Sequence, residues 1–502
     1  MLLIGLLAAP LVTALLCWLA PRLRWREIVN VIGAAVTLLF SVALLVLVAR
    51  GGPVQGPEGV LVADALSAFM AATVAGIGFA AALFSVSYLR GDLAAGHVPG
   101  GESGVRWYYL GFHVFIWTML ATVTVASLGL LWVGLEATTL ASALLVGFYR
   151  TKPALEAAWK YLLLCTVGIT IALFGVILTY LAANEGGITS LDWAVLMAGS
   201  EQLDPAMMRL AFVFVLVGFG TKAGFAPLHT WLADAHSQAP SPISAVLSGV
   251  LLSCALYGIL RFHALTQAAT GSPFAGRLLL GFGVLSVAIA VPFLVVQRDL
   301  KRLLAYSSVE HIGVMAVAIG IGGPLGIYAG LLHLLNHAVT KALLFFVAGD
   351  IVQRFGTRRM SVIRGVIQMA PWLGWGLLLG LLAISGAPLS GIFLSEFGIV
   401  TAGFTGTTGD AAASGIVIFL LALAFAGLLG HALRIAYGTA PPAVTGTAAR
   451  GASPGMRWLS VAAAAPLAVL VVLLGVHVPD QVSDLLQQAT LVLTPMAGGS
   501  GR

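Results

Sequence analysis

The sequence predicts an all-α polytopic membrane protein with about 14 transmembrane helices. Three observations predict this class: an apolar composition, a succession of apolar runs long enough to cross a bilayer, and a loop charge that alternates between connections. Hydrophobic residues make up 60% of the chain and charged residues 9%, with a mean hydropathy of +1.02. A soluble domain carries about a quarter charged residues, so a chain this apolar has lipid as its solvent. The 502 residues leave room for roughly 14 spans of about 20 residues with short connections.

The runs, bounded by Pro, Gly or charge, fall at 1–20, 28–49, 64–89, 107–125, 127–148, 157–183, 209–225, 242–264, 276–296, 303–322, 325–353, 370–400, 413–437 and 457–478. The weakest boundary is the fourth to fifth, near Val125 to Gly129, where no charged loop intervenes. Met1 to Ala20 has no basic leader, and Arg22, Arg24 and Arg26 follow it, which fits a first span better than a cleavable signal.

Loop charge tests this count. Odd-numbered connections hold 18 basic residues, including Arg90, Arg150, Lys160, Arg298, Lys301, Arg354, Arg450 and Arg457. Even-numbered connections and the tail hold 5: Arg50, Arg209, Arg261, Arg277 and Arg502. Positive loops stay in the cytoplasm, so a multi-pass protein of the cell (inner) membrane with both termini extracytoplasmic is expected. The remaining two of the 25 basic residues, Lys222 and Lys341, belong to no loop. The net charge of +6 is explained by the same rule, and no nucleic-acid partner is expected. Cys17, Cys165 and Cys254 stand alone in apolar segments without the spacing of a zinc, iron–sulfur or disulfide site.

A charge in hydrocarbon costs at least about 2.5 kcal/mol, so an ionisable residue there is a functional candidate by default. Glu136 lies mid-span in SLGLLWVGLEATTLASALLVGF, and Lys222 lies in FVLVGFGTKAGFAPLHTW, which also contains His229. Glu310 and His311 lie near the start of the tenth span, and Glu396 lies in SGAPLSGIFLSEFGIV. His333, His337 and Lys341 are spaced i, i+4, i+8 and share one helix face. The bland reading of any one is a satisfied polar group that fixes packing. Several such groups of opposite sign fit a proton relay better, because each adds desolvation cost and each binds and releases protons. Zinc is the rival reading of the His333–His337 pair; it lacks an obvious third ligand, and Lys341 on the same face would repel the ion. No metal site is expected.

Lys222 is followed by Gly224 and Pro227, and Glu396 is preceded by Gly386, Pro388 and Gly391. Both segments read as broken helices, which in transporters expose backbone groups near the bilayer midplane. They fall on the seventh and twelfth spans, five apart, as two inverted five-helix repeats require.

The stretches GFGTKAGFAPLHTWLADAHSQAPSPISAVLSG, DLKRLLAYSSVEHIG and HLLNHAVTKALLFFVAGDI resemble the antiporter-like membrane subunits of complex I, Mrp antiporters and membrane-bound hydrogenases. The resemblance runs from about the third span to the thirteenth. LEAAWKYLLLCTVGITIALFG and SSVEHIG are most similar to the hydrogenase-4 component F branch. It implies 14 core helices, two inverted repeats, broken seventh, eleventh and twelfth helices, and a mid-membrane polar axis. Glu136 and Lys222 match the family's input pair, His337 its central relay histidine on the eleventh span, and Glu396 its terminal residue. Ser253 stands on the eighth span where several complex I subunits have lysine, so Glu310, His311 or Lys341 must substitute or coupling weakens.

The expected organisation is N-terminal helices over 1–106, a first repeat over 107–264, a second over 265–437, and a C-terminal helix and tail over 438–502, without a long lateral helix. The expected function is that of a proton-translocating subunit of a hydrogenase-4-like or complex I-like complex, with no cofactor and no redox chemistry of its own. Its partners are other membrane subunits and, through them, a peripheral redox or antiporter module, with lipid around it and protons or sodium as cargo. The alternatives are a sodium/proton antiporter subunit, an ion-coupled subunit for inorganic-carbon uptake, and a non-conducting scaffold.

Overall fold

A computed structural model describes residues 1–439 and 457–494. Arg450 and Arg502, counted above as loop and tail cations, lie outside the described residues. Every expected span falls on helix. In chain order these are α1 (Leu2–Leu19), α2 (Leu23–Gly51), α3 (Ala65–Ala94), α4 (Glu102–Thr124), α5 (Leu128–Val146), α6 (Lys152–Glu185), the short α7 (Trp193–Ala198), α8 (Pro205–Ala223) and α9 (Thr230–Gln238). Then come α10 (Ser241–Val246), α11 (Leu252–Thr270), α12 (Phe274–Val296), α13 (Leu300–Ile321), α14 (Gly323–Phe355), the short α15 (Val366–Met369), α16 (Pro371–Ile384), α17 (Gly391–Phe404), α18 (Thr408–Tyr437), α19 (Arg457–Val476) and α20 (Asp480–Leu493). Among the described residues, 12 helical rods are long and apolar enough to cross a membrane. α4 has 23 residues and a more polar composition, and α16 and α17, of 14 residues each, are two halves of the expected twelfth span.

Local chemistry sets the ends. The weak fourth-to-fifth boundary is a real break: α4 stops at Thr124, and the Ser127 hydroxyl accepts from the Gly129 N–H at 3.2 Å to start α5. Asp204 caps α8 in the same way, and Gly224 ends it with φ of +87°, a conformation that costs glycine nothing. The twelfth span breaks at Ser385–Ser390, where Gly386 has φ of +75° and Leu389 +69°.

The expected break of the eleventh span is absent. α14 runs unbroken for 33 residues, because no Gly or Pro interrupts the stretch from Leu331 to Ala348. The irregularity lies one span earlier, where a π-helical turn at Leu247–Leu251 joins α10 to α11. Such turns cluster at functional sites. The expected boundaries at 106/107 and 264/265 lie within α4 and α11. The tail contains α20, whose Leu485, Leu486, Ala489 and Leu493 are buried on one face.

Burial separates core from lipid face. α13, α14 and the α10–α11 rod form the centre, and the apolar stretch of that rod is fully buried. The outer helices show Leu39, Leu144, Leu163, Phe419 and Val476 to the outside. Lipid accepts these residues without the cost water would impose. Close approach holds α6 to α8: a Cβ on Gly218 would lie 2.5 Å from the Gly168 carbonyl oxygen.

Candidate functional site

The candidate residues form two clusters inside the bundle. In the first, α5 offers Glu136 and Thr139, three residues apart and so on one face. Lys222, in the last turn of α8, is fully buried and donates to the Thr139 hydroxyl. Glu136 Oε1 accepts from the Thr166 hydroxyl of α6 at 3.0 Å, while Oε2 is buried with no hydrogen-bond partner. Glu136 and Lys222 therefore address the same face of α5 without an ion pair, and the threonine holds the lysine where the sequence pairs it with the glutamate. The break after α8 is anchored from three sides. Trp231 Nε1 donates to the Thr221 carbonyl at 2.8 Å, Ala226 N to the Ser286 hydroxyl at 3.0 Å, and Leu232 fills the space a Cβ on Gly224 would need.

The second cluster joins α13, α14 and α17. His311 Nε2 lies 2.8 Å from the Ile384 carbonyl, so it carries the proton and donates. His311 Nδ1 then accepts from His333 Nε2 at 2.9 Å, and His333 Nδ1 faces the Ser395 hydroxyl at 2.9 Å. This assignment of tautomers follows from the Ile384 carbonyl, which has no proton to give. One ligand atom each of His311, His333 and Glu396 lie within 4.8 Å of one another. Glu396 Oε1 is buried without a partner, and Oε2 occupies the space that glycine leaves at position 386, 2.2 Å from where a Cβ would sit. His337 is fully buried with neither ring nitrogen hydrogen-bonded, its ring 5.5 Å from that of His311. Lys341 Nζ donates to the Leu304 carbonyl at 2.6 Å and to the Ser307 hydroxyl, and Glu310 Oε2 is buried and unpartnered.

Two candidates stand aside from these clusters. Ser253 Oγ donates back to the Gly249 carbonyl of its own rod at 3.2 Å. A serine in a helix satisfies itself this way when no partner reaches it. His229 precedes α9 beside the Tyr306 ring, 6.2 Å between centroids, with Nδ1 unpartnered.

Sequence reasoning missed several groups. Ser248 of the π-helical turn bonds Ser308 of α13 at 2.7 Å, and His236 of α9 is fully buried between Trp231 and Phe345 with Nε2 unpartnered. His236 stands in the quoted TKAGFAPLHTWLADAHSQAPSP stretch, so the signal was present. Arg261, expected in an extracytoplasmic loop, is instead 3% exposed within α11 and pairs with Asp64 at 2.6 and 2.7 Å. The expected run stopped at 264, whereas the helix carries on to Thr270 with the charge neutralised inside.

Two cavities lie near the two ends of α3. One of about 720 Å³ is lined by Asp92, Tyr149, Lys301, Gln353 and Arg358, on the side of the basic loops. The other, of about 190 Å³, is lined by Asp64, Ser67, Asp192, Tyr257 and Arg261. Asp64 and Asp92 mark opposite ends of α3, roughly 42 Å apart at 1.5 Å per residue.

Comparison with known proteins places this architecture. Residues 125–422 match the family described as NADH:quinone oxidoreductase/Mrp antiporter, TM. A hydrogenase-4 component F homolog of Methylacidiphilum infernorum is 43% identical over 331 residues, 65% of this chain and 69% of that protein. NADH-quinone oxidoreductase subunit N of Desulforudis audaxviator is 30% identical over 467 residues, 89% of this chain and 88% of that protein. In fold the chain is similar to a chain of the membrane-bound sulfane sulfur reductase, an archaeal respiratory membrane complex, with a TM-score of 0.84, 23% identity, and coverage of 98% and 97%. The protein belongs to the NADH:quinone oxidoreductase/Mrp antiporter transmembrane family.

Proposed function

We propose that this chain translocates protons as an antiporter-like membrane subunit of an energy-converting complex. One observation carries the reading. Lys222 and Lys341 are both fully buried, and each is held by hydroxyl or carbonyl oxygens rather than by a carboxylate within ion-pair distance. A buried ammonium held only by neutral oxygens has no ion pair to break before it moves to a carboxylate or passes its proton on. Glu136, unpartnered at Oε2 on the same face as Thr139, is the carboxylate that Lys222 would swing to.

The basic-side cavity serves as the cytoplasmic mouth, and α13 leads from Lys301 at its rim to Ser307, Glu310 and His311. The His311–His333–Ser395 chain hands the proton toward Glu396 at the break between α16 and α17. Each imidazole must turn or shift its tautomer after a transfer, which imposes an order on successive protons. Two inverted five-helix repeats, each with one broken helix, would place the α8 break and the α16–α17 break symmetrically about the midplane. Sodium is the weaker cargo, since it prefers an oxygen cage, whereas this axis presents lysines and imidazoles. Partner subunits holding the redox or ion-gradient module would drive the cycle.

A double-mutant cycle tests the pair. Glu136→Gln and Lys222→Met are each expected to abolish most proton uptake by vesicles containing the purified complex, and the double variant is expected to be no worse than either. Fully additive losses at matched expression would mean the two groups do not communicate. Sodium flux that persists without proton uptake would move the reading to a sodium/proton antiporter subunit.

The basic loops give a second expectation. A reporter active only outside the cytoplasm, fused after Arg502, is expected to be active, placing both termini on the extracytoplasmic side. Silence from a well-expressed fusion would make the span count odd.

A further inference from the structure

The triangle of His311, His333 and Glu396 has chemistry beyond a relay. We infer that it binds a late first-row divalent cation, Zn²⁺ or its surrogate Co²⁺, at a three-helix site that closes the proton path while occupied. The residues come from α13, α14 and α17, and one ligand atom of each already lies within 4.8 Å of the others. Two imidazoles and a carboxylate form a donor set that zinc accepts, with a fourth position for water or His337.

The hydrogen bonds behind the ligands are those a metal site needs. A ligating histidine usually donates its other ring N–H to a carbonyl, carboxylate or water, which fixes the tautomer. His311 does so already: Nε2 donates to the Ile384 carbonyl at 2.8 Å and leaves Nδ1 as a lone pair. For His333 the partner is Ser395, 2.9 Å from Nδ1, which also reaches the Ile392 carbonyl at 2.8 Å. With Ser395 donating to that carbonyl, its oxygen accepts the His333 Nδ1 proton, and Nε2 becomes a second lone pair facing the first. The two nitrogens stand 2.9 Å apart around one shared proton. A tetrahedral ion at about 2.0–2.1 Å from each nitrogen needs them about 3.3 Å apart, so it takes that proton's place with a small shift. The shared proton moves to Nδ1 of the same ring, and neither imidazole changes charge.

Glu396 supplies the third ligand and the negative charge. Its Oε1 is buried with no hydrogen-bond partner, and the absent Cβ at Gly386 gives the carboxylate room. Lys341 shares the α14 face but is anchored by the Leu304 carbonyl and Ser307, seven and four residues before His311 on α13. At 1.5 Å per residue that anchor is about 6–10 Å from the triangle along the helix. The ligands that the His333–His337 spacing lacks thus come from two other helices, His311 from α13 and Glu396 from α17.

The inference does not depend on the proton-path reading for binding; only the consequence for transport does. The full-length chain, purified in detergent, is titrated with Co²⁺ and then Zn²⁺. Wild type is expected to show the visible absorption of tetrahedral cobalt at one equivalent, displaced by one equivalent of zinc. His333→Gln and Glu396→Gln are each expected to weaken Zn²⁺ at least tenfold, while His431→Gln, outside the triangle, leaves it unchanged. Absence of the tetrahedral spectrum from folded wild type, or equal affinity in all three variants, would overturn the site. Glu396→Asp retains a carboxylate and is expected to keep the spectrum, which separates lost ligation from lost folding. In vesicles, Zn²⁺ is expected to stop proton uptake by wild type. Zinc bound at one equivalent with undiminished uptake would overturn the closing of the path by the ion, and with it the His311–His333 route.

Discussion

Lys222→Ala is expected to lower proton uptake by vesicles holding the complex about a hundredfold or more, the scale of losing one positioned proton-transfer group. Assembly of the complex is expected to continue. Lys222 is the only buried lysine on the α8 side of the axis among the described residues, and its one hydrogen bond goes to Thr139. Removing it strands no opposite charge at ion-pair distance, so folding loses little, whereas the α8 break loses the lysine that would carry the proton. Lys222→Arg sharpens the result: it keeps the charge but holds its proton too tightly to release it. Wild-type uptake by either variant would remove Lys222 from the path, and a complex that pumps with neither Lys222 nor Glu136 would be evidence for the scaffold alternative.

The second large effect concerns stability. Arg261→Met is expected to destabilise the chain by about 3–5 kcal/mol, the cost of leaving a buried carboxylate without its partner. Arg261 holds Asp64 with two hydrogen bonds of 2.6 and 2.7 Å, and also donates to Ser67 and Tyr257 at 3.0 Å each. Asp64 in turn caps α3 by accepting from Ser67 N at 2.9 Å. The arginine thus ties the start of α3 to the end of α11 on the side opposite the basic loops. Thermal unfolding of the detergent-solubilised chain measures the loss. Asp64→Asn together with Arg261→Met is expected to recover part of it, because the stranded charge is gone. Unchanged stability in Arg261→Met would show that water already satisfies Asp64 there.

The Arg261 result marks where reading a linear chain fails. An arginine at the end of an apolar run looks like a loop cation, and alternation counting places it outside. Only its distance to Asp64, 197 residues earlier, reveals an internal ion pair. Ser253 shows a second limit: the resemblance sets it at a position of interest, but only the structure shows its hydroxyl turned back to the Gly249 carbonyl of its own rod. The break expected in the eleventh span failed because helix propensity from Leu331 to Ala348 has no interruption, and the π-helical turn beside Ala338 supplies the irregularity instead.

The sequence by itself determined the class of the molecule, the helical segments, the breaks after Lys222 and before Glu396, and the mid-span charges Glu136, Lys222, Glu310, Lys341 and Glu396. These follow from local facts: hydropathy over about 20 residues, glycine and proline, and the cost of charge in lipid. The tertiary structure decided which of those residues meet. It set Lys222 on Thr139 rather than on Glu136, turned His333 toward His311 and Ser395 rather than along its own face to His337, and brought Glu396 to both histidines. The reason is physical: spacing along one helix says which residues share a face, but the rotation of each helix against its neighbours says what that face touches.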